Sequence, residues 1–314
     1  MNSSPNYQTR PSKHVERKIF VEALQHLRGA GYKISTYRYL GFGSFYYMDF
    51  ILFHRLLSIK KMTCLEKRTG ISRRMKFNKP FKFIELEMKD IASYLPKIKE
   101  KEKHIVWLDY ECQLNSDVLA TIGTLVGTLA NESVLIITVN AQADMTSEES
   151  EGKKSKTTTE SLKQKHEQEL SPFSGEIKKD DITGKGLPLL FIRSIRSRII
   201  DALKSRLDDD FYQVFNYVYR DGARMLTFGG VIDSKDKKEK IMESLKDLKS
   251  VNLKNDPREI FIPPLTMREK LLLDKKINKN NTAHDLPFEL EPEEIRGYIE
   301  YSSHYPTFHE VFMN

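Results

Sequence analysis

Gly41 and Gly43, in YLGFGSF, follow a short extended run, and Glu66 closes a second such run, MTCL, farther along the chain. Glycines after a first strand let the backbone turn tightly and approach a ligand, and an acidic side chain about 20 residues later, at the tip of the next strand, binds both hydroxyls of a ribose. The pair of features points to an adenosine-containing cofactor. A dinucleotide site calls for a third small residue at position 46, where the first helix packs on the sheet, and this chain carries Tyr46. That argues against NAD and toward S-adenosylmethionine, which has no pyrophosphate to cradle.

Two further carboxylates stand where strands should end. Asp90 follows the strand pattern Phe81 to Glu87, where it can accept a hydrogen bond from the exocyclic adenine amine or can cap the helix that begins at Ile91. Asp109 emerges from HIVWLDYE, whose Ile-Val-Trp-Leu run reads as a buried parallel strand. Packing explains such an aspartate poorly. Asp109, Tyr110 and Glu111 therefore face the crevice in which cofactor and substrate meet, with Asp109 or Glu111 able to serve as base. His54, His104 and His304 are alternatives, although a lone histidine is more often structural. Arg10, Lys13 and Arg17 lie on or beside a first helix (about Lys13 to Arg28) and could reach an anionic group or line a solvated face.

The elements that hold these residues alternate. Strands at Tyr37–Leu40, Met62–Leu65, Phe81–Glu87, 104–111 and Ser133–Asn140 are separated by helical patterns, the βα alternation of a parallel α/β sheet. Between them TGISRRMKFNKP is polar and basic. From Gln142 to about Lys185 the pattern dissolves into mixed charge, read as a mobile insertion at about 142–186, partly helical around Glu160–Glu169 and placed to act as a lid. A helix over Leu187–Leu207 precedes two strands joined at Arg220-Asp221-Gly222-Ala223, a strong hairpin signal. These elements make residues 1–233 one domain, with an N-terminal arm and helix in 1–30. Residues 234–314 read as a helical C-terminal extension. In it Tyr298, Tyr301, Tyr305, Phe308 and Phe312 serve packing rather than base stacking.

The chain has 314 residues, 39% hydrophobic and 10% aromatic, enough to bury a core of roughly 200 to 250 residues. Its formal charge of +7 permits contact with nucleic acid, yet 44 acidic residues accompany the 51 basic ones, so most of that charge reads as solvated surface. Cys64 and Cys112 have neither disulfide-framework nor zinc-ligand spacing. A reducing, cytoplasmic setting fits, and no apolar run approaches the ~18 residues of a membrane span.

RPSKHVER, YRYLGFGSFYYMDFILFHRLL, CLEKR, FNKPF, IVWLDYE, LTMREK and YSSHYPTFHEV together resemble a family of bacterial proteins described as putative O-methyltransferases. The resemblance covers nearly the whole chain outside the insertion. It implies a Rossmann-like class I methyltransferase fold, with a mostly parallel seven-stranded sheet whose last strand is antiparallel, and S-adenosylmethionine as cofactor. It matches Gly41 and Gly43 to the cofactor loop, Glu66 to the ribose ligand, Asp90 to the adenine side and Asp109 to the end of strand four. In one departure, Tyr39-Leu40 replaces the usual acid at the end of strand one, which leaves Asp49 or Asp109 to contact the methionine amino group. Methyl transfer rests largely on proximity and orientation, so no nucleophile–base–acid set is required. The acceptor stays open. A catalytically inactive scaffold that keeps the fold is the competing reading. Base methylation of nucleic acid is disfavoured, because strand four ends in DYE and not in the Asn/Asp-Pro-Pro-aromatic motif of amino-methylating DNA enzymes.

Overall fold

The structure, a computed structural model, describes residues 10–144, 158–277 and 286–305. Its first half alternates as the apolar patterning requires. The order is α1 (Pro11–His26), β1 (Arg38–Phe42), α2 (Met48–Leu57), β2 (Lys61–Leu65), α3 (Ser72–Asn78), β3 (Ile84–Glu87), α4 (Ile91–Tyr94), β4 (His104–Asp109), α5 (Ser116–Thr128) and β5 (Ser133–Asn140). Then come α6 (Thr159–Leu170), α7 (Gly186–Leu203), β6 (Asp209–Asp221), β7 (Ala223–Ser234), α8 (Lys238–Leu245), β8 (Arg258–Ile260), α9 (Met267–Lys276) and α10 (Pro292–Tyr301).

The strands form one sheet in the order β3-β2-β1-β4-β5-β7-β6-β8. β1 to β5 pair in parallel, β7 runs antiparallel to both β5 and β6, and β8 runs parallel to β6. The expected seven strands with a reversed last strand are therefore present. The eighth was not expected: it is three residues long, too short to stand out within PREIFIPP as a periodic pattern. It also makes the C-terminal segment a contributor to the sheet, not an appendage of helices alone.

Each strand of the parallel half alternates its apolar residues between two cores, because successive side chains leave opposite faces. Ile105 and Trp107 enter one core with α1, α2, α8, α9 and α10; Val106 and Leu108 enter the other with α5, α6 and α7. Phe20 of α1 packs edge-on to Trp107 with ring centroids 4.9 Å apart. Tyr298, Tyr301 and Tyr305 are buried in the first core, as packing requires; Phe308 and Phe312 lie outside the described residues.

The charged segment after β5 departs from expectation. Residues 145–157 lie outside the described residues, but the rest of the segment, from Thr158 on, is built onto the second core. Leu162, Leu170, Ile177 and Ile182 are buried there, and Glu169 accepts hydrogen bonds from the Ser116 amide and hydroxyl at the start of α5, both at 3.1 Å. Four apolar residues spread over a polar stretch cannot form a core of their own. They need only a neighbour's, and α5 and α7 supply it.

Candidate functional site

β1 runs two residues farther than its pattern suggested and ends at Phe42, so Gly41 lies inside the strand and only Gly43 opens the loop. Neither glycine adopts a positive φ; each is required by a close protein neighbour. A Cβ on Gly41 would stand 2.3 Å from the Tyr39 hydroxyl on the same face, and one on Gly43 would stand 2.8 Å from both Cys64 Sγ and Met75 Cε. The left-handed residue of the loop is instead Tyr47, at φ 49. A non-glycine residue there costs of order 1 to 3 kcal/mol, which the surroundings must offset. They do so through burial, an edge contact with Phe50 and a 2.9 Å hydrogen bond from the Tyr47 hydroxyl to the Met75 carbonyl. The helix starts after it, so Tyr46 sits in the loop and not against the sheet, and the small-residue requirement used to argue against NAD falls on a different position.

Glu66 follows β2 directly beside this loop: the Gly43 amide donates to the Leu65 carbonyl. Its side chain is 7% exposed, and both carboxylate oxygens accept from Arg68, at 3.1 Å from Nε and 3.0 Å from Nη2, with the Arg68 amide adding a third bond at 2.9 Å. A buried carboxylate offering both oxygens to a planar pair of donors is the acceptor that a ribose diol needs. Asp90, past β3, caps α4 by accepting from the Ser93 amide at 2.7 Å, and that bond lowers its carboxyl below the ordinary value.

The third part comes from α1, and it is the part that the sequence pattern concealed. Lys13 is fully buried, although lysine is among the residues least often found inside. Its ammonium lies 2.9 Å from Asp109, 2.9 Å from Glu16 and 3.0 Å from the Tyr219 hydroxyl, and 4.3 Å from the centroid of the Trp107 ring. Glu16 is buried too; burial pushes its carboxyl up, while Lys13 and the Thr227 hydroxyl, which donates to it, pull it down. From Thr227 the hydrogen bonds continue to Thr138 at 2.8 Å and to the Trp107 indole at 3.0 Å. One turn on, buried Arg17 binds Asp49 in the first turn of α2. The start of α1 is held by the hairpin tip: Asp221 accepts from the amides of Ser12 at 3.2 Å and Lys13 at 2.8 Å, where a capping side chain would otherwise be needed.

Gly43, Asp49, Glu66, Asp90 and Asp109 thus gather at the carboxyl edge of the parallel strands, where open α/β sheets bind their ligands. Asp109 and Asp49 each carry an in-chain cation. Glu111 is exposed in the turn after β4. The three histidines do not join them. His104 opens β4 at the opposite edge with Nδ1 2.6 Å from the Glu102 carbonyl, His54 sits between Phe81 and Phe83, and His304 lies 3.2 Å from Glu22. Cys64 is buried and its thiol is pushed up to about 12 by that burial, so it is no nucleophile. A depression of about 980 Å³ lies between Gly29–Gly31 and α8, away from all of these residues.

The cluster Lys13, Glu16, Arg17, Asp49 and Asp109 holds two cations and three carboxylates. The donor chemistry is compatible with S-adenosylmethionine: a carboxylate that offers two acceptor oxygens suits a ribose diol, and alternating cations and carboxylates suit a zwitterionic methionine end. Lys13 was named only as a cation able to reach an anionic group or line a solvated face; its burial, and the parts of Glu16 and Tyr219, escaped the sequence reading because a Lys-Glu pair near a chain start looks like a solvated helix face. The signal that could have found them was Val15, Ile19 and Phe20 flanking them, which leaves α1 little exposed face.

A mostly parallel sheet with one reversed strand, β7, and carboxylates at its carboxyl edge defines a Rossmann-like methyltransferase fold. The chain matches, over residues 5–313, the family described as putative O-methyltransferase, and it belongs to that family. Methyl transfer with S-adenosylmethionine as the donor is the chemistry of that class; the family does not identify the acceptor. No curated protein matches the chain. Among solved structures it is similar to Trm1 from Pyrococcus horikoshii in complex with S-adenosyl-L-methionine (11% identity, 74% of this chain and 57% of that one, TM-score 0.43). It is similar also to the N-methyltransferase NodS from Bradyrhizobium japonicum WM9 (13%, 70% and 97%, 0.35) and to the S-adenosylmethionine-dependent methyltransferase SibL (8%, 68% and 54%, 0.36). The chain spans little more than half of the Trm1 and SibL structures. Among the described residues no helix is long and apolar enough to cross a membrane.

Proposed function

We propose that the carboxyl edge of β1, β2 and β4 binds S-adenosylmethionine and presents its methyl group to a nucleophile docked at the same edge. Glu66 holds the ribose hydroxyls, Asp90 stands on the adenine side, the Gly43 loop passes beneath, and the Asp49–Arg17 and Asp109–Lys13 pairs bracket the methionine end. The bound cofactor supplies an electrophilic methyl group on sulfur. The chain's own contribution is positioning: buried partners fix the carboxylates, so little reorganisation is left for the moment of reaction. Where the acceptor carries a proton, Asp109 or Glu111 takes it. Asp109 is paired with Lys13 at 2.9 Å, and Glu111 is the more accessible of the two.

The observation that carries this reading is the buried Glu66 at the tip of β2, with both oxygens accepting a planar donor pair beside the Gly43 loop. To accept a ribose it must release Arg68, whose side chain is 56% exposed. The experiment is titration calorimetry with S-adenosylmethionine on wild type, Glu66→Ala and Arg68→Ala. Arg68→Ala should bind at least as tightly as wild type because its competitor is gone. Glu66→Ala binding equally well would remove the assignment.

A further inference from the structure

Between Lys67 and Lys82 the chain has seven Lys and Arg residues and no Asp or Glu, in a protein whose whole net charge is +7. The fold does not scatter them. α3 carries Arg73, Arg74 and Lys76 exposed, and it is seated on the loop after β1 by buried Met75 and by the Tyr47–Met75 hydrogen bond. Among the described residues, Lys67, Arg73, Arg74, Lys76 and Lys82 make no ion pair, whereas Arg38, Lys97, Lys103 and Arg206 each have an acid beside them. Lys67 extends the patch to the candidate site, since its charge is felt by both Asp90 beyond β3 and Cys112 beyond β4.

Aromatic rings are set among these charges. Phe77, at the end of α3, is 89% exposed, the most exposed of the large hydrophobic side chains. Arg74 lies over the Phe45 ring at 4.0 Å, and Tyr46 next to it is 37% exposed. Uncompensated cations track a phosphate backbone, and exposed rings and a flat guanidinium stack on unpaired bases.

We infer that the flank formed by α3 and the Phe45–Tyr46 loop docks a single-stranded polynucleotide, which leads onto the carboxyl edge of the sheet. That this strand carries the methyl acceptor rests on the proposed function; the docking itself does not. Solvated surface charge is the competing explanation of any basic patch. Here the absence of acids over 16 residues and the exposed Phe77 weigh against it.

The test is fluorescence anisotropy of a short labelled oligouridylate and its oligothymidylate counterpart, at roughly 50 to 200 mM salt. Wild type should bind both. Reversing two phosphate contacts in Arg73→Glu/Lys76→Glu should weaken binding at least tenfold and flatten the log–log salt slope by about 1.4. Phe77→Ala should cost about tenfold with the slope unchanged, because stacking releases no counterions. Lys238→Glu/Lys240→Glu on α8, at the opposite edge, should change little. Absence of wild-type binding at the low-salt end, an equal loss from the α8 reversal, or equal affinity for duplex or for oligoglutamate would each overturn the inference. Cofactor calorimetry on the same variants separates the two readings: Glu66→Ala should lose S-adenosylmethionine and keep the oligonucleotide, and the α3 variants should do the reverse.

Discussion

At the scale of single residues the account turns on buried charges whose partners come from distant segments. Replacing Lys13 by Met leaves Glu16 and Asp109 facing each other without their common cation. Removing one partner of a buried pair costs about 3 to 5 kcal/mol, so Lys13→Met should lower the thermal midpoint markedly even though methionine fills the space. His14 beside it makes a second test. Burial, with Lys18 and Arg17 adding to it, pushes its pKa down from 6.5 to about 4. A depressed histidine is neutral in the fold, while the unfolded chain takes up the proton. The stability it contributes is present above pH 6.5 and is lost as the pH falls from there toward 4. His104, His166 and His304 are shifted the same way by burial. Thermal midpoints should therefore fall over that window, and His14→Asn should make the fall shallower.

At the scale of elements, sequence and structure agree where one periodic pattern decides the matter. The runs YRYL, MTCL, IVWL and VLIITVN are strands because apolar β-branched and aromatic residues fill both faces of a covered sheet. Asp221-Gly222 turns because Gly222 takes φ 105 there. Glu66 and Asp109 were legible as strand-end carboxylates, and so as candidates, for the same reason, each being the first acid after an apolar run. What pattern could not show is which helix faces pair. Val15, Ile19 and Phe20 hint that α1 has little exposed face, but nothing local pairs Lys13 with Asp109 or places Asp221 under the start of α1, and the sparse Leu162, Leu170, Ile177 and Ile182 do not reveal that α5 and α7 await them. Two outcomes follow. Asp221→Ala removes the only side chain capping α1 among the described residues and should cost about 0.5 to 2 kcal/mol, read by denaturant unfolding. Leu170→Ala empties a filled site in the second core and should cost about 2 to 5 kcal/mol, whereas a mobile surface insertion would show no loss.

At the scale of the whole molecule, β5, β7 and β6 tie the parallel half to the C-terminal segment, and α1 crosses from the hairpin tip to the strand ends. Folding and site assembly are thus one event. The carboxyl edge is complete only when α1 brings Lys13 and Arg17 onto Asp109 and Asp49. The most direct measurement is calorimetric titration of the folded protein with S-adenosylmethionine, wild type beside Glu66→Ala, with thermal melts to confirm that both are native. The account predicts saturable one-site binding by wild type and a loss of roughly 1.5 to 3 kcal/mol, about tenfold or more, in the variant, whose ribose hydroxyls go unpaired. Wild-type protein that is folded and binds no S-adenosylmethionine, or a Glu66→Ala variant that binds it as tightly, would contradict the central claim.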